Sequence, residues 1–193
     1  QVVPILKEAS EHKQPSVRGA AATGFGRVPS AEALTALTRL LRDPLPPVRI
    51  AAAVSLGQLS DVNAGPPLAK ALDDRDSAVR AFVVGALLEH GEKYEVVADS
   101  VRTLINTQEP AARTAVARAL GHAGGDNRVP ARSALMLLIQ DTVSRVRIAA
   151  VKSMAKVEGA RAIAVLKQSL HDEDDAVRAT AGGALLTLVA SKN

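Results

Sequence analysis

The 193-residue chain sets 24 Lys and Arg against 20 Asp and Glu, for a formal charge of +4, and contains no Cys. A disulfide framework and a Cys-based zinc site are therefore excluded, no apolar run reaches the roughly 18 residues of a membrane span, and the small positive excess does not by itself indicate nucleic acid. Aromatic residues make up only 2% of a chain that is 47% hydrophobic, so the interior must be filled by Ala, Val, Leu and Ile, a composition suited to helices that approach closely.

Taken in order, residues 1 to 10 predict a helix with Pro4 in its first turn, where a missing N–H costs nothing. A second helix starts at Ser16 and runs toward Gly24-Phe25-Gly26. Ser30 is placed to cap a third helix, Ala31 to Leu41, whose Leu34, Leu37, Leu40 and Leu41 share one face. The stretch Asp43-Pro44-Leu45-Pro46-Pro47 breaks the chain before Val48-Arg49 restarts it. The next helix runs from Val48 to Leu56 with a stop expected at Gly57, then a linker Gln58 to Asn63 and a short helix from about Pro66 to Leu72.

Beyond these, Ser77 to Glu89 pairs with Tyr94 to Ile105. Ala111 to Leu120 is followed by the Gly-rich break Gly121 to Asn127 and by Val129 to Ile139. Arg145 to Ala155 pairs with Ala160 to Leu170, and Ala176 to Leu188 completes the series. The total is about twelve helices, an orphan at each end of five hairpins. The chain begins with Gln1 and its last helix, with Leu185, Leu186, Leu188 and Val189, has no polar cap. Both features predict a piece of a longer array, or ends that pack on another domain or chain.

The hairpins are copies of one unit. Arg18, Arg49, Arg80, Arg113, Arg147 and Arg178 recur at separations of 31, 31, 33, 34 and 31 residues, which is a solenoid period. Residues 1–193 are therefore expected to form a single repeat array. Within a unit, the Val before the Arg and the residues three, four and seven positions later form one stripe: Val79, Phe82, Val83 and Ala86, or Val146, Ala149, Ala150 and Ser153. Six residues before four of the arginines stand Asp43, Asp74, Asp141 and Asp172. An acid there complements the dipole of the following helix and is placed to pair with a repeat Arg of an adjacent layer. Asp43, Arg49, Asp74, Arg80, Arg113, Asp141, Arg147, Asp172 and Arg178 are accordingly assigned structural roles.

Catalytic chemistry finds no footing. His12, His90, His122 and His171 fall in separate units, Glu89-His90 stands in the reverse of the His-Glu order at a helix end, and neither a nucleophilic triad nor a phosphate loop can be assembled. No cofactor or metal is expected, and the acidic runs Asp73 to Asp76 and Asp172 to Asp175 read as helix caps without the spacing of a calcium loop.

The period, the Val-Arg signature and the Ala-rich first helix resemble the HEAT-like repeats of the phycobilisome-lyase class over nearly the whole chain. The motif residues are Asp43, Val48-Arg49, Ala51-Ala52 and Leu56-Gly57; Asp74, Val79-Arg80 and Ala86-Leu87; Asp141, Val146-Arg147 and Ala149-Ala150; and Asp172, Val177-Arg178, Ala181 and Ala184-Leu185. The fourth unit departs, with Ala112-Arg113 for Val-Arg and Thr107 for Asp. The resemblance implies an all-α, right-handed α-solenoid whose second helices line a concave face.

That class includes bilin lyase subunits, metal-dependent hydroxylases and adaptors without activity, so the fold alone does not select a function. The leading expectation is a non-enzymatic scaffold that binds another protein, or another domain of a longer chain, through the second-helix face or the array ends. Arg39, Arg42, Lys70, Arg102, Arg132, Leu137, Arg161 and Lys167 are the candidate contact residues. The alternatives are a bilin lyase or its partner subunit, acting on a bilin-carrying protein, and a basic stripe that binds phosphate backbone. Thr103, Leu137 and Gln168 interrupt that stripe and no aromatic platforms accompany it, so nucleic acid is disfavoured. A soluble, cytoplasmic setting is favoured and no membrane span is expected.

Overall fold

The computed structural model describes residues 2–59 and 63–190, and among these every regular element is a helix. Its α-helices are α1 (Val2–Ala9), α2 (Pro15–Phe25), α3 (Ala31–Leu40), α4 (Pro46–Gln58), α5 (Gly65–Ala71), α6 (Ser77–His90), α7 (Tyr94–Ile105), α8 (Pro110–Leu120), α9 (Arg128–Leu138), α10 (Ser144–Glu158), α11 (Ile163–Ser169) and α12 (Asp175–Ala190). Short 3₁₀ turns at Gly125–Asn127 and Gly159–Ala162 lead into α9 and α11. Residues 60–62 of the expected Gln58–Asn63 linker lie outside the described residues.

Two compact units divide the chain, Gln1–Ser100 and Val101–Asn193, with the boundary inside α7. In the first, α2, α4 and α6 form one layer of first helices, with α1, α3 and α5 packed on it. In the second, α8, α10 and α12 form the layer that α9 and α11 pack against. The core of the first unit is built from Phe25, Leu37, Leu40, Leu56, Leu68 and Leu87, and that of the second from Leu104, Leu120, Leu135, Met154 and Leu166.

Local chemistry starts and stops the helices. Pro15, Pro46, Pro66 and Pro110 occupy first turns, where the ring's fixed φ is helical and no bond is lost. Ser30 accepts the Ala33 N–H at 3.0 Å, and Asp76 accepts the N–H groups of Ala78 and Val79, removing donors that the first helical turn leaves unpaired. Gly91 ends α6 with φ of 90°, a left-handed conformation that disfavours a side chain.

Two expectations fail for tertiary reasons. Helix α4 does not stop at Gly57 but continues to Gln58. Gly57 is instead the point of closest approach to α6, since a Cβ there would stand 2.8 Å from the Ala86 Cα. Phe82 lies on the predicted apolar stripe yet is 43% exposed, while Val79, Val83 and Ala86 are buried. Helix α6 also buries Ala81, Val84, Leu87 and Leu88, so its neighbours cover it on two sides and Phe82 falls on the strip left to solvent. The corresponding residues Val146, Ala149, Ala150 and Ser153 are all buried.

Candidate functional site

The charges committed to the fold are separable from those that remain. In the first unit, Arg18 Nε lies 2.6 Å from Asp43 Oδ2 and Arg49 Nε lies 2.7 Å from Asp74 Oδ2. In the second, Arg113 Nε lies 2.6 Å from Asp141 Oδ2 and Arg147 Nη2 lies 2.8 Å from Asp172 Oδ1. Each is a two-pronged pair, with a second guanidinium nitrogen on the other carboxylate oxygen. The same four carboxylates accept backbone N–H groups of Leu45, Asp76, Val143 and Asp174.

Each Asp therefore serves the Arg of the preceding repeat, 25 or 28 residues earlier. The Arg six residues after it uses the Asp main-chain carbonyl instead: Arg49 on Asp43 and Arg147 on Asp141, both at 2.8 Å. Arg80 donates to the Asp74 carbonyl at 2.7 Å. Arg178 donates to the carbonyls of Asp172 and Glu173 and pairs with Asp175. The turn between repeats is thus tied to the helix before it and the helix after it.

Burial pushes the Asp43, Asp74 and Asp141 carboxyls up. The hydrogen bonds from Arg18, Arg49 and Arg113, the backbone N–H groups and the nearby positive charges outweigh that effect and hold all three below the usual carboxylate range. For Asp172 the Arg147 hydrogen bond leads and the net direction is the same. These groups are ionised and occupied, so they offer nothing to a ligand.

The second helices supply the remaining candidates. Helix α3 buries Ala33, Ala36, Leu37 and Leu40, which turns Arg39 outward and leaves Arg42, just past the helix end, exposed. Helix α5 is anchored by Leu68 and leaves Lys70 exposed. Between them runs a groove of about 420 Å³ whose walls include Leu34, Leu41, Pro66 and Pro67, with Arg42 and Lys70 at its rim. Asp73 and Asp74 also line it, the latter held by Arg49.

The structure does not bring all the candidate cations together. Arg39 lines a different groove, of about 440 Å³, with Lys7, Glu11 and Glu32. It donates to Ser10 Oγ at 2.7 Å and lies 3.7 Å from Glu11. In the second unit Arg132 faces Glu158 at 3.9 Å, Arg102 is exposed and accepts the Asn106 side-chain amide on its carbonyl, and Arg161 and Lys167 are exposed. Acids share α3 and α7 with these bases, Glu32 on the first and Glu95 and Asp99 on the second, whereas α5, α9 and α11 carry none. Of the run Met136 to Ile139, Leu138 is buried and Leu137 is 65% exposed. Among the described residues there is no group of three His, Cys, Asp or Glu able to hold a metal ion, and no helix is long and apolar enough to cross a membrane.

A family model for HEAT repeats matches residues 2–87, 65–132 and 104–186. The chain belongs to the HEAT-repeat family. Among solved structures, the HEAT-repeat chain is similar to the complex of CpcE and CpcF of phycocyanin lyase from Nostoc sp. PCC7120. The identity is 25%, the match covers 95% of this chain and 75% of that one, and the TM-score is 0.65. It is also similar to the Escherichia coli protein YibA, at 18% identity over 97% of this chain and 74% of that one with a TM-score of 0.64. An engineered protein is 18% identical over 98% of this chain and 97% of its own, with a TM-score of 0.56. The last two likenesses speak for the fold alone. No curated protein matches the sequence.

Proposed function

We propose that the chain is a HEAT-repeat subunit of a bilin-lyase-type assembly, contributing binding to a protein partner and no catalytic group of its own. The likeness to the CpcE–CpcF complex, 25% identity along 95% of the chain, carries this reading. The groove between α3 and α5 supports it. Its volume of about 420 Å³ falls in the range of ligand-binding clefts. Its Leu and Pro walls suit an apolar ring system, and Arg42 and Lys70 suit the propionates of a tetrapyrrole or acidic residues of a carrier protein. Side chains already locked in ion pairs form the frame, and those that differ from repeat to repeat form the surface.

The test is an absorbance titration with a free bilin, together with co-elution of the chain with phycocyanin on a sizing column. Binding of either, weakened about tenfold by R42E/K70E, is the expected result. A folded chain that binds neither refutes the assignment to lyase-type machinery and leaves a scaffold for other proteins.

A further inference from the structure

The first helices of the second unit carry a surface that the repeat framework does not require. Two adjoining grooves lie along them. One, about 330 Å³, is lined by Arg118, Arg145, Lys152 and Lys156. The other, about 780 Å³, runs between α10 and α12 over Ala155, Gly183, Ala184 and Leu188, and Lys152 and Lys156 line it too. All four cations are exposed, and among the described residues none makes a salt bridge or a side-chain hydrogen bond. No acid lines either groove. The nearest acid on α10, Glu158, is turned to Arg132.

Repeat register shows that this is no by-product of stacking. Five residues after the marker Arg, the first three repeats have Thr23, Val54 and Gly85, whereas the next two have Arg118 and Lys152 and the last has Gly183. Charge divides the same way. Residues 101–193 hold thirteen Lys and Arg against eight Asp and Glu, and residues 1–100 hold eleven against twelve. Along α10 the cations stand seven and four residues apart, on one face, over about 16 Å of helix.

We infer that this face of α8, α10 and α12 docks an amphipathic helix of a partner protein, its acidic edge on the four cations and its apolar edge in the α10–α12 groove. Small side chains at Ala155, Gly183 and Ala184 let a helix approach closely, and complementary charge sets its orientation. A sugar–phosphate backbone would use the cations but gain nothing from the Ala and Leu floor, which is why a protein helix is favoured over nucleic acid. The surface belongs to the second unit and shares no residue with the α3–α5 groove of the first, and it does not depend on the bilin assignment.

The probe is a fluorescein-labelled helical peptide of about 18 residues, five turns, with Glu spaced to match Arg145, Lys152 and Lys156 and a Leu–Ala stripe beside them. Anisotropy with the whole chain should show binding that weakens with added salt and that falls at least about tenfold in K152E/K156E. Should that variant fail to fold by circular dichroism, K152Q/K156Q takes its place, with a smaller loss expected. Gly183→Leu tests the floor: a Cβ there meets nothing within 4 Å, so the fold is kept while the groove is filled and peptide affinity drops. R27E, at an exposed cation of the first unit that belongs to neither groove, should leave peptide binding unchanged. The inference is overturned if the peptide does not bind at low salt, if its Gln-for-Glu counterpart or a DNA duplex binds as tightly, or if Gly183→Leu has no effect.

Discussion

Replacing Asp74 by Leu removes the carboxylate that receives Arg49 Nε at 2.7 Å and Nη2 at 2.9 Å and the Asp76 N–H at 2.9 Å. The Arg49 and Asp74 side chains are only 5% and 10% exposed, so water does not replace the lost partner. Stranding one member of a buried pair costs about 3–5 kcal/mol. Arg49 keeps the carbonyls of Asp43 and Pro44 through Nη1, which places the expected cost at the low end, about 3 kcal/mol, or about two orders of magnitude in the folding equilibrium. R49M should cost a similar amount by stranding Asp74.

The double variant R49M/D74L strands neither charge and should cost no more than either single variant, about 3 kcal/mol at most, against about 6 if the two effects simply added. Urea unfolding followed by far-ultraviolet circular dichroism measures all three, with Arg39→Ala as reference. The Arg39–Glu11 pair is more than half exposed on both sides at 3.7 Å and should cost under about 1 kcal/mol. Additive energies in the double variant, or a D74L cost no larger than that of Arg39→Ala, would refute the assignment of these arginines to the inter-repeat turns.

Other consequences follow from the same geometry. Asp43, Asp74, Asp141 and Asp172 have folded-state pKa values below the ordinary one. Their stabilisation is therefore complete above the unfolded value of about 3.9 and lost as pH falls through the lower folded values. The urea midpoint should be insensitive to these groups between about pH 5 and 8 and drop below about pH 4, with a shallower drop in Asp141→Asn. Gly57→Val puts atoms against the Ala86 backbone, where even a Cβ would stand at 2.8 Å, and should destabilise by about 1–3 kcal/mol; a thermal melt at or above wild type contradicts this. Leu137→Ser, at a side chain 65% exposed, should change stability by less than about 0.5 kcal/mol, and a larger loss in the urea midpoint would show that the exposed reading of this position is wrong.

Much of the architecture was legible in one dimension because a solenoid repeats its local rules. The 31- to 34-residue spacing of the arginines, the Pro and Asp breaks, the Ser30 cap and the apolar stripes depend on neighbours in sequence, and they place the helices to within a few residues. The Asp six residues before four of the six repeat arginines was visible as well. What the sequence could not decide was which Arg it serves, because a turn touches two helices and only packing selects the guanidinium that reaches it. The selected partner is the earlier one, across to the adjacent repeat, while the later one takes a carbonyl.

Exposure on α6 was undecidable for a related reason. A period of 3.6 identifies a face but not how many neighbours cover the helix, so Phe82 reads as core until the flanking helices are in place. Gly57 reads as a stop until Ala86 stands against it. The candidate surfaces show the same division. Charge at Arg42, Lys70, Lys152 and Lys156 is a property of composition, but grooves exist only where two neighbouring helices leave a gap. Burial and the alignment of equal repeat positions on neighbouring helices turn Arg118 and Lys152 into adjoining cations, and these are properties of the packed chain.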